Sequence, residues 1–485
     1  MGVQTAEAPT RRLPRYHLDE GLAHLTPADR TARGEDARAR VPRESHAGFS
    51  PRPDRPEPLA LLAAQNATRV PELVPVRWGR MAASPFAYFR GAALPMASDL
   101  SATPVSELAV QACGDAHLSN FGIFGSAERL LVFDVNDFDE TLPGPWEWDV
   151  KRLAASLEVA ARDNGVPARK RREIVLAAVS QYRQAMRRFA AMNNLDVWYA
   201  RADMDQLQVE FRSQLKKRQR QAVSKGLSKA RTHDSMQELS KLCHDVDGRP
   251  RITSDPPLLV PVDELLPKAA ERKAFESQLN ELVGKYRRTL EPSRRLLLTQ
   301  FEVADMARKV VGVGSVGTRC WIVLMLGRDA SDPLFLQVKE AQESVLSWFV
   351  GASKYANQGQ RVVAGQQLMQ ASSDIFLGWQ RAEGLDGQTR DFYVRQLRDW
   401  KFSIDVAALR PRGLRLYGSL CGWALARAHA CSGDRIAIAS YLGSSDAFDQ
   451  AIAQFADDYA DQNERDYEAL VAAIKSGEIA AEQGV

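Results

Sequence analysis

The chain has 485 residues, of which 45% are apolar and 26% charged, so it can bury a large core and its length favours two or more lobes. Its net charge of +3 neither requires nor excludes a nucleic-acid partner, and there is no run of about eighteen apolar residues and no apolar centre of a secretory signal, which predicts a cytoplasmic protein without a membrane partner. The cysteines are scattered and form no CxxC pair, which argues against a disulfide framework and a zinc site; they are Cys113, Cys243, Cys320, Cys421 and Cys431.

The first 58 residues are rich in proline and arginine and lack a periodic apolar pattern, so we predict that they form a disordered arm. A short helix is predicted over LALLAAQNA, and Ser84 with Pro85 is typical of an N-cap and first helical position. Arg77, Arg80 and Arg90 lie in the same region. They could bind a phosphate or an acidic substrate, although packing beside aromatic residues is the commoner role of such arginines.

The most informative stretch runs from CGDAHLSNFG through ERLLVFDVNDFDE to PWEWDVKRLA. An aspartate followed five positions later by an asparagine, here Asp115 and Asn120, can place a general base and a Mg2+ ligand on one loop. A strand that ends near Asp137 can supply a second ligand. Within the loop, His117 is expected to bond to the backbone rather than to a metal. WDVKRLAASLEVAARDNG predicts a helix that ends at Gly165.

Residues 169 to 300 are predicted to be mostly helical. The window from Arg212 to Arg231 contains eight basic residues and no acidic one. Contact with nucleic acid is one interpretation of this window. A solvated helical face or an insert is favoured, because aromatic residues are not interleaved with the charges.

From Arg308 onward the pattern changes to strands. KVVGVGSVGTRCWIVLMLG and LFLQVKEA, separated by a turn at GRDASDP, predict three antiparallel strands. GVGSVG lies between two of them, which disfavours a Rossmann turn. Such a loop can instead lay its backbone over a triphosphate through Gly312, Gly314, Ser315 and Gly317, although a simple hairpin turn is the alternative.

Lys339 lies at the end of the third strand and is similar in position to the VAIK lysine of kinases. A buried ammonium can bind the α and β phosphates of ATP if a carboxylate holds it in place. Glu340 and Glu343, which we expect on a following helix, are the two candidates, and the sequence does not choose between them. A lysine that simply reaches solvent at a strand end is the alternative.

The rest of the chain predicts helices and one further strand pair. ESVLSWFVGASKYA and QRVVAGQQLMQ are helix candidates, and IFLGWQRAEG pairs with RDFYVRQLRD as strands. LRLYGSLCGWALARAHACSG predicts a helix that ends at Gly433, and the segment from Ala447 onward predicts an amphipathic helix.

In sequence, GDAHLSN, NDFDETLPGP and WDVKRLA resemble the catalytic segment of aminoglycoside phosphotransferases and of homoserine or choline kinase-like enzymes. The resemblance implies that Asp115 is the catalytic base and that Asn120 and Asp137 bind Mg2+, with Asp139 assisting. It also implies that Asp149 braces the catalytic loop. The alternative is an ordinary acidic hairpin with a helix-capping aspartate.

The order of these parts departs from that of ordinary kinases, in which the glycine loop and lysine precede the catalytic loop. ALARAHACSGD, residues 424 to 434, resembles the helix that normally leads into the catalytic loop. The resemblance therefore implies a protein kinase-like, two-lobed α+β fold that is circularly permuted, with a small antiparallel sheet lobe and a larger helical lobe. The expected divisions are an arm at 1–58, helical-lobe segments at 59–302 and 401–485, and a sheet lobe at 303–400.

The chain also resembles a bacterial family that is defined only as a domain of unknown function, number 2252. The matching sequence segments include RWGRMAASPFAYFRG, CGDAHLSNFG, FDVNDFDET, PWEWDVKRLAAS, LQVKEA, RVVAGQQLMQ and FYVRQLRD. This resemblance implies no substrate, so the expected chemistry depends on the site residues.

We therefore expect a Mg-ATP-dependent phosphotransferase that acts on a hydroxyl group of a small molecule or a protein. Transfer of AMP to a protein side chain is the alternative within enzymes. A non-catalytic scaffold that binds nucleotide or nucleic acid is the alternative outside them, and the joint presence of Asp115, Asn120, Asp137 and Lys339 argues against it.

Overall fold

The computed structural model describes residues 16–18, 20–205, 228, 235–384, 386–397, 400 and 404–484. Over these residues the protein combines helices with small antiparallel sheets, which confirms the α+β class. In this part of the chain no helix is both long and apolar enough to cross a membrane. Apart from residue 228, the basic window at 212–231 lies outside the described residues.

The helices and strands are named here in chain order. The helices are α1 Pro27–Arg40, α2 Pro58–Asn66, α3 Val74–Met81, α4 Pro85–Gly91, α5 Ala93–Leu100, α6 Trp146–Asp163, α7 Ala168–Ala190, α8 Asn194–Tyr199, α9 Ser235–Leu242, α10 Val262–Leu265, α11 Ala269–Arg287, α12 Pro292–Leu298, α13 Ser347–Val350, α14 Gln358–Met369, α15 Pro411–Ser432, α16 Arg435–Leu442 and α17 Ala447–Lys475. The strands are β1 Ala109–Ala112, β2 Phe121–Gly125, β3 Leu131–Val135, β4 Leu142–Pro145, β5 Ala202–Asp203, β6 Cys243–Val246, β7 Arg249–Ile252, β8 Leu259–Pro261, β9 Glu302–Lys309, β10 Cys320–Leu326, β11 Pro333–Glu340, β12 Gly378–Glu383 and β13 Thr389–Gln396.

Long helices form the larger part of the core. Helix α7 packs along α15, and α6 packs against α17 and α7. Trp146, the first residue of α6, stacks on Tyr182 of α7 with ring centroids 5.8 Å apart. Because α6 begins directly after β4, which pairs with β1, this helical core also supports the strands on either side of the segment from Cys113 to Thr141.

A six-stranded antiparallel sheet forms the second part of the fold, in the order β12-β13-β11-β10-β9-β8. Its register pairs Lys339 with Cys320 on one side and with Tyr393 on the other. The predicted strand triplet, β9 to β11, and the predicted pair, β12 and β13, are confirmed. Strand β8 at the edge lies in a segment that we predicted to be mostly helical, as do β5, β6 and β7.

The N-terminal segment differs from our expectation of a disordered arm. Thr26 and Asp29 form a capping box at the start of α1, whose small residues pack against α16. Arg30 Nε donates to Asp434 Oδ1 at 2.8 Å, and Arg38 donates to the carbonyl of Ser440 at 2.9 Å. Polar contacts and close packing therefore order a segment that lacks apolar periodicity.

The remaining predicted helices differ in outcome. Those at α2, α14, α15 and α17 are confirmed, and Ser84 caps α4 by accepting from the amide of Ala87. The stretch ESVLSWFVGASKYA contains only the single-turn α13, because Gly351 follows it with a positive φ of 95°. The chain between α13 and α14 therefore has no regular secondary structure.

Candidate active site

The predicted catalytic segment begins where β1 ends. Asp149, in the first turn of α6, accepts hydrogen bonds from the amides of Cys113 at 2.6 Å and Gly114 at 3.0 Å. His429 of α15 lies 3.1 Å from the same carboxylate, which is almost fully buried. One side chain therefore ties two helices to the two residues that precede Asp115, and this fixes the start of the loop.

Asp115 faces Arg152, which lies one helical turn beyond Asp149 on α6. The Arg152 guanidinium is 2.7 Å from Asp115 Oδ1 and also donates to the carbonyl of Phe89. Burial raises the pKa of Asp115, while Arg152 acts in the opposite direction. Asn120 Nδ2 donates to the Asp115 carbonyl at 2.8 Å, so its amide oxygen is left as an acceptor.

His117 is buried in the same loop. Its Nδ1 accepts from the amide of Ser119 at 3.2 Å, and Nε2 lies 3.6 Å from Asp115 Oδ2. Burial, with the nearby Arg90 and Arg152, holds the pKa of His117 well below its usual range, so the ring is neutral. The ring therefore makes the backbone hydrogen bond that the sequence predicted.

Asp137 and Asp139 follow β3 and lie beside the loop that contains Asp115 and Asn120. The amide of Asn136 donates to the Asn120 carbonyl at 2.8 Å, which joins the two loops. Burial and the adjacent Asp139 raise the pKa of Asp137, whose side chain remains 30% exposed. Asp137 therefore presents its carboxylate to the cleft rather than to the core.

Lys339 brings the sheet to this acidic pair. Its Nζ lies 3.8 Å from Asp137 Oδ2 and forms a shorter ion pair with Asp139 Oδ2. The Tyr393 hydroxyl donates to Asp139 Oδ1 at 2.7 Å. Burial disfavours the charged amine, but the two carboxylates outweigh this effect and raise the pKa of Lys339 well above its usual range. Lys339 is therefore a buried, permanent cation at the point where the two parts of the fold meet.

The expected glutamate partners of Lys339 are wrong. Glu340 is the last residue of β11 rather than part of a helix, and it pairs with Arg319 at 3.3 Å and with Arg390 at 3.7 Å. Successive side chains of a strand point to opposite faces, so Lys339 and Glu340 cannot meet across the same face. Glu343 is exposed in the segment that follows. In the described residues, the carboxylates paired with Lys339 are those of Asp137 and Asp139.

The glycine-rich loop between β9 and β10 lies over Asp139. Ser315 Oγ is 3.4 Å from Asp139 Oδ2, and Gly312 and Gly317 have positive φ angles of 66° and 85° that favour glycine. The N-terminal helical region holds the loop through its carbonyls: Arg80 donates to Gly312 at 2.6 Å, the amide of Val70 donates to Gly317 at 2.8 Å, and Arg69 donates to Val316.

Two cavities meet at the centre of this arrangement. The first, of about 960 Å3, lies between the sheet and the predicted catalytic segment and is lined by Lys339 and Arg395 among others. The second, of about 890 Å3, contains Asp115, His117 and Asp139. The residues that line both cavities are Arg90, Asn120, Asp137, Gly312 and Ser315. The predicted base thus lines one cavity and the predicted lysine lines the other. Of the predicted metal ligands, Asn120 and Asp137 lie at the junction, and Asp139 lines the second cavity.

Several residues of the site were not predicted from the sequence. Arg152 stands three positions after Asp149 in WDVKRLA, so the helical period could have placed both side chains on one face. Tyr393 and Arg395 alternate on β13 and therefore share a face, with Arg395 donating to the carbonyl of Asn136 at 3.2 Å. Arg69 gave no signal in the sequence.

The donor set suits Mg2+ bound together with phosphate. Mg2+ prefers oxygen ligands and is usually held by one or two carboxylates plus phosphate oxygens. Asp137 and the Asn120 amide supply oxygens at the junction of the cavities, and Asp139 lies beside them. Within the described ranges, no cluster of three or more His, Cys, Asp or Glu side chains could hold a metal ion alone. The site therefore lacks a complete protein cage but offers what a metal-phosphate complex needs.

Comparison with known proteins gives one match. The family model described as "Uncharacterized protein conserved in bacteria (DUF2252)" matches residues 69–473. Neither a curated protein nor a solved structure matches the chain significantly.

Proposed function

The chain belongs to the DUF2252 family, and we propose that it is a Mg-ATP-dependent phosphotransferase that acts on a hydroxyl group of a small molecule or a protein. The main support for this proposal is the position of Lys339. Lys339 of β11 pairs with the acidic residues that follow β3, although Asp139 and Lys339 are 200 residues apart in the chain. A lysine, two carboxylates, an asparagine amide and a glycine-rich loop around one cleft are the parts that phosphoryl transfer requires.

The first cavity is assigned to ATP. Its volume of about 960 Å3 is at the upper end of the range for small-ligand sites. Lys339 and the amides of the glycine-rich loop would bind the phosphates, with Gly312, Gly314 and Gly317 allowing close approach; Gly312 lines this cavity, and Gly314 lines the second one. Asn120 and Asp137 would hold Mg2+, with Asp139 beside them. When bound, Mg2+ would neutralise the charge that develops on the phosphate oxygens.

Asp115 is assigned as the general base. Arg152 and the Asn120 amide fix its orientation, and it faces the second cavity, where an acceptor hydroxyl would lie. The acceptor oxygen forms a bond to the γ-phosphorus while the bond from that phosphorus to the β–γ bridging oxygen breaks. ADP leaves with that electron pair, and Asp115 takes the hydroxyl proton.

We also propose that the arrangement is a circularly permuted kinase-like fold. Support comes from the end of α15, where the Ser432 hydroxyl accepts from the amide of Gln111 in β1 at 3.1 Å. The chain runs from the sheet into α15, and the end of α15 contacts β1, which leads into the proposed catalytic loop. In the chain, β1 comes first by about three hundred residues. The spatial succession therefore resembles that of a kinase, whereas the chain succession is inverted.

The test is transfer of label from γ-labelled ATP, in the presence of Mg2+, to components of a metabolite and protein extract. We expect wild-type protein to transfer the label and Asp137→Asn to lose at least a hundredfold in rate, because the metal loses a charged ligand. Glu468→Gln, which removes an exposed carboxylate of α17, is the matched control and should retain full activity. Circular dichroism should show that both variants are folded.

Equal rates for Asp137→Asn and wild type would contradict the assignment. Label that reaches the acceptor from α-labelled ATP instead would indicate AMP transfer. Nucleotide binding without any transfer would favour a non-catalytic scaffold. Binding to RNA that is unchanged by ATP and falls steeply with salt would favour a nucleic-acid binder.

A further inference from the structure

The second cavity is lined by three arginines of the N-terminal helical region that have no carboxylate partner in the described part of the chain. These arginines are Arg69, Arg77 and Arg90. Arg77 donates to the side-chain oxygen of Asn66, to that of Gln65 at 2.8 Å and to the carbonyl of Gly91 at 3.1 Å. Arg69 donates to the Val316 carbonyl. All of these acceptors are neutral.

Two of the three arginines are deeply buried. Arg77 is 0% and Arg69 is 5% exposed, and the Nε atom of each arginine has no hydrogen-bond partner among the described residues. Burial lowers the pKa of Arg69 to about 10, so its guanidinium is still charged at neutral pH. Buried charges are normally paired, because removing an ion from water without a counter-charge is unfavourable. This wall of the cavity therefore presents guanidinium groups that are not fully satisfied by hydrogen bonds or ion pairs among the described residues.

Among the described residues, no acidic side chain of the same cavity forms an ion pair with these arginines, although Glu140, Glu340 and Asp139 attract Arg69 at longer range. Asp115 is paired with Arg152, and Glu340 with Arg319. Asp139 is paired with Lys339. These three carboxylates already have cationic partners. Glu140 accepts from the amide of Val345 and, among the described residues, contacts no arginine directly, so the arginine wall is open to direct contact with a bound anion.

The nucleotide is not the natural occupant of this wall. Lys339 and Arg395 line the first cavity, whereas Arg69 and Arg77 line the second. Arg90 lines both and lies close enough to Asp115 to interact with it electrostatically. A group bound to these arginines would therefore lie on the side of the predicted base rather than on the side of the predicted ATP site.

We infer that the second cavity binds the acceptor, and that the acceptor is a small hydroxylated anion whose carboxylate or phosphate group contacts Arg69 and Arg90, with Arg77 behind them. This inference rests on the proposed phosphotransferase function. The cavity volume of about 890 Å3 suits a metabolite. A guanidinium binds a carboxylate or a phosphate through paired N–H donors, which selects for such groups over neutral or cationic ones.

The test uses the full chain with Mg2+ and a non-hydrolysable ATP analogue, and measures binding by calorimetry. The ligands are matched sets: glycerol, glycerate and glycerol 3-phosphate; glucose, gluconate and glucose 6-phosphate; and glucosamine as a cation. We expect anionic members to bind at least tenfold more tightly than their neutral partners, and inorganic phosphate to compete with them. Comparing the affinities of the carboxylates with those of the phosphate esters shows which kind of anion the cavity prefers.

If no anionic member binds more tightly than its neutral or cationic counterpart, the inference is wrong. Its failure is separable from that of the proposed function. An ATP analogue that does not bind contradicts the phosphotransferase itself, whereas an analogue that binds without any preference for anionic acceptors contradicts only the inference.

A variant tests the arginines directly. Arg90→Gln should reduce the preference for anions at least tenfold. The unfolding temperature without ligand should stay the same or rise, because burial disfavours the charge of Arg90 more than Asp115 favours it. Arg169→Gln, at an exposed position on α7, is the matched control and should leave both quantities unchanged. An Arg90→Gln protein that keeps the full preference, or that loses stability without losing the preference, would show that Arg90 has a structural role.

Discussion

Glu140 shows how the second cavity changes the chemistry of one side chain. Its Oε2 accepts from the amide of Val345 at 2.7 Å, and Arg361 lies nearby. Burial nevertheless raises the pKa of Glu140 from 4.5 to about 7. The folded protein therefore binds this proton more tightly than the unfolded chain does. Because the pKa of this carboxyl is raised on folding, its contribution to the free energy of unfolding is complete at low pH and is lost as the pH rises from about 4.5 to about 7.

Glu140→Gln should remove this pH dependence. Glutamine keeps an oxygen that accepts from Val345 and cannot ionise. We expect the variant to exceed wild type in free energy of unfolding by about 2 kcal/mol at pH 8, after allowance for partial solvent exposure, and by much less at pH 4.5. Urea unfolding at the two pH values measures this difference. Glu468→Gln is the control, and an equal difference at both pH values for Glu140→Gln would contradict the pKa assignment.

The sequence was sufficient to predict which residues share the site where those residues are close together in the chain. Asp115, Asn120 and Asp137 lie within 23 positions, and their order alone predicted that they would share a site. The partner of Lys339 could not be predicted in this way, because Asp139 lies 200 residues away. We therefore chose glutamates that are near in sequence, although the alternation of a strand directs Glu340 to another face.

The approach of α15 to β1 is the contact between elements that best supports the permuted arrangement. Gly433, which ends α15, lies against β1 so closely that an added Cβ would be 2.7 Å from the Ala109 carbonyl oxygen and 2.7 Å from a Val110 methyl carbon. No larger residue fits there without moving one of the two elements. The helix end and the start of the catalytic segment are thus held at fixed separation.

Gly433→Ala should therefore lower the free energy of unfolding by about 1–3 kcal/mol through overpacking. Gly284→Ala in α11 is the matched control, since an added Cβ there meets nothing within 4 Å, and it should raise stability by up to about 1 kcal/mol. Urea unfolding of the two variants measures the contrast. A Gly433→Ala protein as stable as wild type would show that α15 and β1 are not in close contact.

Regular elements were predictable where their pattern is periodic. Strands β10 and β11 are rich in apolar residues, and α15 and α17 have helical periodicity with clear ends. Helix α1 was missed because ion pairs and small residues hold it, as in the contact of Arg30 with Asp434. Strand β8 was missed because three residues at a sheet edge are too few to establish a period.

On the scale of the whole molecule, the pair of Lys339 and Asp139 joins the sheet to the helical core. Removing one partner leaves a buried charge uncompensated, so Lys339→Met should lower the free energy of unfolding by about 3–5 kcal/mol. Asp139→Asn should also destabilise. The double variant with Lys339→Met and Asp139→Asn should lose less free energy of unfolding than the sum of the losses in the two single variants. We expect the difference, which is the coupling energy, to be at least about 1 kcal/mol.

The exposed pair of Lys268 and Glu271, 2.9 Å apart, provides the control cycle and should give a coupling below about 1 kcal/mol. Urea unfolding of both sets of variants measures the two couplings. Additive effects at Lys339 and Asp139 would mean that the sheet and the acidic segment do not meet in solution. The predicted sites in both parts of the chain would then lack a common cleft.

The attachment of the glycine-rich loop has a thermodynamic consequence. Arg69 and Arg80 hold its carbonyls, so the loop is ordered by folding before any nucleotide arrives. A free hairpin would lose conformational entropy when it closes over a triphosphate, and a preorganised one loses little. Ligand affinity at this cleft should therefore depend more on enthalpic contacts with the phosphates than on the ordering of the polypeptide around them.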